Sequence, residues 1–190
     1  MTMQNDPYAT GVLFPDVHDR LVADIDGFAK DAGIQRHWLW TPLANTCGES
    51  EIEYVRRFRH HRVSGQLHGL CYVGQSKNPD VEDRTFALAG ALVRNFVRAR
   101  VMTVGMVLDR IGMGMTPDPT CLLIPNFFLS KAQGGGIATW QIAALYDLLV
   151  QRAASGQQTI IYASSLAALA NEYGAGFGNL VQSHYLKVQI

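Results

Sequence analysis

Three short apolar runs constrain this chain more than any other feature: Leu70-Cys71-Tyr72-Val73, Thr120-Cys121-Leu122-Leu123-Ile124 and Thr159-Ile160-Ile161-Tyr162-Ala163. Each is too short for a stable helix and has no polar alternation, which is the pattern of a strand covered on both faces. Gly74 ends the first, and Pro125, which cannot donate to a ladder, ends the second. Arg100 to Met106 and Tyr185 to Ile190 read as two further strands. Helical spacing separates them, over Thr85 to Val97, Val107 to Ile111, Ala138 to Ala154 and Leu166 to Tyr173. Strands alternating with helices require crossover connections, so the expected fold is α/β, a three-layer sandwich with a mostly parallel sheet. Ahead of it, Leu13 to Ala32 carries one apolar stripe (Val17, Leu21, Ile25, Phe28, Ala29) between Pro15 and Gly33, and Glu49 to His61 a second. The expected organisation is a helical N-terminal appendage, 1–35, and an α/β domain, 36–190.

No apolar run approaches the roughly 18 residues of a spanning helix. The three cysteines, Cys47, Cys71 and Cys121, are odd in number and widely spaced, which predicts reduced thiols and a cytoplasmic protein without membrane attachment. Sixteen basic and sixteen acidic side chains cancel, but unevenly along the chain. Residues 1–55 hold three basic and nine acidic groups, residues 56–110 ten basic and four acidic. A neutral total therefore leaves room for a basic face, because fields act over about 8 to 10 Å. Packing of the acidic segment on the basic one is the competing reading.

In an α/β protein, the loop from a buried strand to a helix N-terminus is the natural phosphate site. Here it is Gly74 to Arg84, followed by Thr85. A working loop of this kind reads GxxxxGK[ST]. Gly74 and Thr85 fit, Lys77 and Arg84 are the available cations, and there is no second glycine. Pro79 removes a donor. Asp80, Glu82 and Asp83 each repel a polyphosphate by about 1 kcal/mol or more in a confined site. The magnesium-binding acid expected after the Cys121 strand is also missing, since the sequence there is Ile124-Pro125-Asn126. Asn126 can orient a water but cannot act as a base. Ser164 and Ser165 follow a strand without a GxSxG elbow. His60, His61, His68 and Cys71 match no zinc spacing, so no metal site is predicted.

Arg56, Arg57, Arg59 and Arg62 cluster within seven residues. Arg94, Arg98 and Arg100 are read as lining the exposed side of the helix after the loop. Together they form a candidate nucleic-acid surface if they converge, and a solvated helix face otherwise.

Over residues 36–190 the chain resembles the ATPase domain of the AAA+ superfamily, specifically DnaC-type helicase loaders and IstB-type transposition helper ATPases. The resemblance is carried by Trp38 to Arg57 as the lead-in, and by Gly69 to Gly74 with Arg84-Thr85 at the Walker A position. Val101 to Arg110 follows as the second strand and helix, then Cys121 to Asn126 at the Walker B position and Leu145 to Arg152 as the next helix. Thr159 to Leu166 matches the sensor 1 strand, and Leu169 to Gly174 a helix ending in Tyr-Gly. It implies a P-loop NTPase core with Gly74, Lys77, Arg84, Thr85, Asn126 and Ser164 at nucleotide-facing positions. The chain departs from the family at each chemical position: no Walker A lysine, no acidic Walker B pair, serine where sensor 1 asparagine often sits, and no arginine in Gly176 to Val181.

The expectation is a catalytically inactive AAA+-like adaptor or scaffold, without cofactor, in a DNA replication, recombination or mobile-element system. It would engage a protein partner and, through the arginines, DNA. One alternative is a nucleotide-binding loader using a non-standard loop with ATP and magnesium. Another is a pure interaction module, a homo-oligomer through Ala138 to Ala154, without nucleic-acid contact.

Overall fold

A computed structural model describes residues 15–75, 80–130 and 136–190, with side chains from residue 19 onward. Five strands form one sheet: β1 (Gly69–Val73), β2 (Ala99–Val101), β3 (Cys121–Ile124), β4 (Gln158–Ala163) and β5 (Tyr185–Gln189). Their order is β2-β3-β4-β1-β5 and every pairing is parallel. In register, Val73 faces Ala163 and Gln189, and Ile124 faces Ile161. β1 and β3 are buried along their whole length, as continuous apolar runs in a doubly covered sheet should be.

Alternate strand residues feed two cores. Leu70, Tyr72, Leu123 and Ile160 face the first, which is roofed by α5 (Asp80–Arg94) and the N-terminal helices α1 (Pro15–Ala23), α2 (Ile25–Ala32), α3 (Glu49–Arg56) and α4 (Phe58–Ser64). Cys71, Leu122, Ile124 and Ile161 face the second, under α6 (Val104–Gly112), α7 (Thr139–Ala154), α8 (Leu166–Tyr173) and α9 (Ala175–His184). The three-layer α/β sandwich is therefore present. Leu21, Ile25 and Ala29 belong to the same core as Leu88 and Leu92 of α5.

Three boundaries differ from the sequence reading, two of them where a side chain caps a helix. The Leu13 to Ala32 helix breaks at Asp24, whose carboxylate accepts the Gly27 N–H at 3.2 Å and starts α2. Glu49 to His61 breaks at Arg57, which ends α3 and begins α4. The expected strand Arg100 to Met106 stops at Val101 because Thr103 caps α6, its hydroxyl accepting the Met106 N–H at 3.2 Å.

Candidate functional site

Parallel α/β sheets present ligand sites at the C-terminal ends of their strands, and Gly74, Asn126 and Ser164 all lie there, past β1, β3 and β4. Gly74 has φ +152°, and a Cβ on it would sit 2.2 Å from the Ile190 carbonyl oxygen. Its own carbonyl accepts the Tyr162 hydroxyl at 3.0 Å. The chain just past β5 thus closes on the turn that leaves β1, with the Ile190 N–H donating to Val73 at 3.1 Å. Lys77 lies outside the described residues.

Helix α5 starts at Asp80, five residues before the expected Thr85. Asp80, Glu82 and Asp83 therefore form its first turn, where the positive end of the helix dipole stabilises them. Arg84 and Thr85 follow in the body of the helix. The Thr85 side chain is buried, and its hydroxyl donates to the Val81 carbonyl at 2.6 Å. Arg84 reaches sideways to Glu51 of α3, a carboxylate 1% exposed that also accepts the Gly48 N–H at 2.9 Å. Asn126 Oδ1 accepts the Val104 N–H at 2.9 Å and so helps to cap α6. Ser165 caps α8 by accepting the Ala168 N–H at 3.0 Å, with Ser164 half-buried beside it. Arg84, Thr85 and Asn126 spend polar atoms on the fold, and the sequence past β3 supplies no carboxylate. The described residues at this edge do not fit a magnesium triphosphate.

The arginines divide into three kinds. Arg56 and Arg57 are exposed and pair with Glu49 and Glu53 on their own helix, contacts worth about 0 to 1 kcal/mol. Arg59 is exposed. Arg94, expected on the outer side of α5, is instead 5% exposed, donating to the Leu39 and Thr41 carbonyls at 2.8 and 3.0 Å. The irregular segment 36–45 lies over that side of α5 and turns its surface inward. Arg62 and Arg98 come to one place, the N-terminal edge of the sheet. Arg62 donates to Gly156 at 2.9 Å, Gln157 donates to the Asp118 carboxylate at 2.6 Å, and Arg98 bonds the Asp118 carbonyl at 3.1 Å. Arg100 stands half-buried in a cleft along β2.

The sequence reading missed Arg152. It is fully buried and makes five hydrogen bonds, to Thr159 Oγ1, Gln157 Oε1 and the carbonyls of Pro117, Pro119 and Gln158. The available signal was its place on the buried face of α7 with Leu145, Leu148 and Leu149. The histidines go separate ways. His61 stacks on Tyr54 at 5.4 Å and His68 on His184 at 4.4 Å. Burial lowers the pKa of both, helped by His60 for His61 and by His184 for His68. Cys71 faces the second core, its thiol pushed up to about 12 by burial. Among the described residues no three His, Cys, Asp or Glu gather as a metal site, and no helix is long and apolar enough to cross a membrane.

The sequence matches no protein-family model and no curated protein. Among solved structures, a DNA replication initiation factor superposes with a TM-score of 0.54 at 11% identity, covering 78% of this chain and 48% of that one. The replication initiator DnaA, solved with AMPPCP and single-stranded DNA, gives 0.53 at 11% identity, covering 78% and 49%. What is shared is the fold, a five-stranded all-parallel α/β sandwich. The chain covers about half the length of those structures, and at 11% identity the likeness carries the fold alone.

Proposed function

We propose that this chain is a catalytically inactive AAA+-type adaptor or scaffold in a DNA-processing assembly, of replication, recombination or mobile-element type, akin to DnaC-type loaders and IstB-type helpers. One observation carries the reading. At the strand ends where a nucleotide would sit, Arg84, Thr85 and Asn126 hold Glu51, Val81 and Val104 rather than facing outward. The likeness to replication initiators supports the process, and the exposed arginines of α3 and α4 support a DNA contact. Two domains, 1–35 and 36–190, would divide partner binding from the α/β core. Calorimetric titration of the whole chain with ATP and magnesium tests it: no heat and no turnover is expected. Micromolar binding with steady hydrolysis overturns it. A pull-down with and without nuclease then separates protein partners from DNA-bridged ones.

The DNA-free interaction module is favoured by different observations, Trp140 of α7 at 61% exposure and an apolar groove lined by Ile142 and Tyr146 of the same helix with Tyr173 and Phe177. A complete absence of salt-sensitive DNA binding would favour that reading.

A further inference from the structure

A cleft of about 530 Å³ lies away from the C-terminal strand ends, along the outer side of edge strand β2. It is lined by Phe28 and Asp31 of α2, Phe96 after α5, Arg98 and Arg100 at β2, and Arg110 of α6. Three arginines thus line it from two elements. Arg98 is engaged by Asp118, whereas Arg100 and Arg110, both half-buried, make no ion pair among the described residues. Asp31 is the one wall carboxylate outside that Arg98 pair.

Phe96 points to a ligand independently of charge. The end of α5 is a Schellman motif, with Phe96 N–H bonding the Val93 carbonyl at 2.8 Å and Val97 N–H the Leu92 carbonyl at 3.0 Å. The first of these two residues must be left-handed in such a motif, and Phe96 has φ +55°, the one such non-glycine value among the described residues. Glycine or asparagine normally fills this position, because a Cβ there costs free energy. A phenylalanine in that strained conformation places a ring, still 40% exposed, in the wall of an arginine-bearing cleft. Phe28 meets it edge-on at 6.2 Å, and the Arg20 guanidinium lies 5.6 Å over it.

We propose that this cleft binds one nucleotide unit, the base against Phe96 and its phosphate between Arg100 and Arg110. The unit is supplied by a single nucleic-acid strand or by a free nucleotide. A duplex keeps its bases stacked and cannot offer a free face to a ring inside a concave wall, so single strands are preferred. The inference rests on the DNA-handling reading above and gives it a location.

Fluorescence anisotropy with a labelled oligo-dT single strand of about 12 nucleotides tests it on the whole chain, with the matching duplex and free dTMP as competitors. Phe96→Gly keeps the left-handed turn and the fold, and is expected to weaken the single strand about tenfold. Arg100→Gln and Arg110→Gln are each expected to lower the slope of log affinity against log salt by about 0.7. Asp31→Asn is expected to tighten binding. dTMP binding that is lost in Phe96→Gly, without strand binding, assigns the site to free nucleotides. If the strand binds but only Arg56, Arg57 or Arg59 substitutions weaken it, the cleft assignment falls and the DNA-handling reading stands. If neither strand, duplex nor dTMP binds, both fall. Displacement by polyglutamate, with Phe96→Gly unchanged, assigns the cleft to acidic peptides and overturns the proposal.

Discussion

Arg84 is the residue on which the structural and nucleotide readings differ most, and its removal has a calculable cost. Glu51 is 1% exposed and has two partners, Arg84 and the Gly48 N–H. Arg84→Ala leaves that carboxylate buried with one neutral donor. Breaking a buried pair from one side costs about 3 to 5 kcal/mol, and because Arg84 is itself 27% exposed, water can enter its vacated place and hold the loss near about 2 to 3. For a domain of this size that is a fall in Tm of roughly 5 to 10 °C. Glu51→Gln keeps an acceptor for Gly48 and releases Arg84 toward solvent, so it is milder, about 1 kcal/mol. The double variant Glu51→Gln with Arg84→Ala is expected to recover part of the loss, giving a coupling of about 1 to 2 kcal/mol. Urea unfolding of the four proteins measures this, provided the m-value stays constant. Coupling under about 0.5 kcal/mol, or an Arg84→Ala protein that melts with the parent, refutes the structural assignment. Arg84 would then be free to serve a ligand.

Arg152→Ala strands five acceptors and opens a hole between the loops preceding β3 and β4, so a loss of at least about 3 kcal/mol is expected in the same assay; Arg152→Lys, with three donors, should fall between. Gly90→Ala should gain about 1 kcal/mol from helix propensity alone, but its Cβ would lie 2.1 Å from the Trp38 carbonyl oxygen, which is backbone and cannot swing aside. The clash wins, so a lower urea midpoint is expected, and a higher one would show that segment 36–45 does not seat on α5. Burial, with His184 beside it, holds the His68 pKa below 6.5, so under that pH the unfolded chain takes a proton that the native state resists. Stability should therefore be level above about pH 7 and fall as the pH drops through 6.5. His68→Asn should flatten that fall, and an unchanged profile would count against the assignment. Burial raises the Cys47, Cys71 and Cys121 thiols to about 12, so a thiol reagent at pH 8 should label none of them until urea unfolds the chain.

The strands were legible in the sequence because a strand buried on both faces leaves no ambiguity of side. Leu70 to Val73, Cys121 to Ile124 and Thr159 to Ala163 fall inside β1, β3 and β4. Helix ends were less legible, since Asp24 and Thr103 each fit an apolar pattern's gap as well as a cap. Strand order left no local signal at all. Arg94 was misread for a tertiary reason: its outward position on α5 becomes inward only once segment 36–45 lies on that helix. Arg98, Arg100 and Arg110 share a cleft because β2 is an edge strand and α6 runs back past it, which no spacing in the sequence encodes. Asn126 was legible as a missing acid, but its bond to Val104 was not, because the partner is 22 residues away.

The departures at the strand ends reinforce one another through different elements. In the first turn of α5, Asp80, Glu82 and Asp83 already draw about 0.3 to 1 kcal/mol each from the helix dipole, discounted by their exposure. A triphosphate seeking the same N–H groups would lose that stabilisation and meet three like charges, each costing about 1 kcal/mol at contact distance in water. Both effects oppose the ligand, so neither offsets the other. Meanwhile the Arg84 guanidinium answers to α3, the Asn126 amide to α6, and the Gly74 turn to the residue past β5. Replacing any one of them disturbs a contact that another helix or strand depends on. A lysine near Gly74 would still lack a carboxylate past β3. An aspartate in place of Asn126 would keep an oxygen for Val104 but bring a charge with no metal partner secured by a phosphate. Single substitutions toward a nucleotide site, such as Asn126→Asp, are therefore expected to lower the urea midpoint without creating measurable ATP binding.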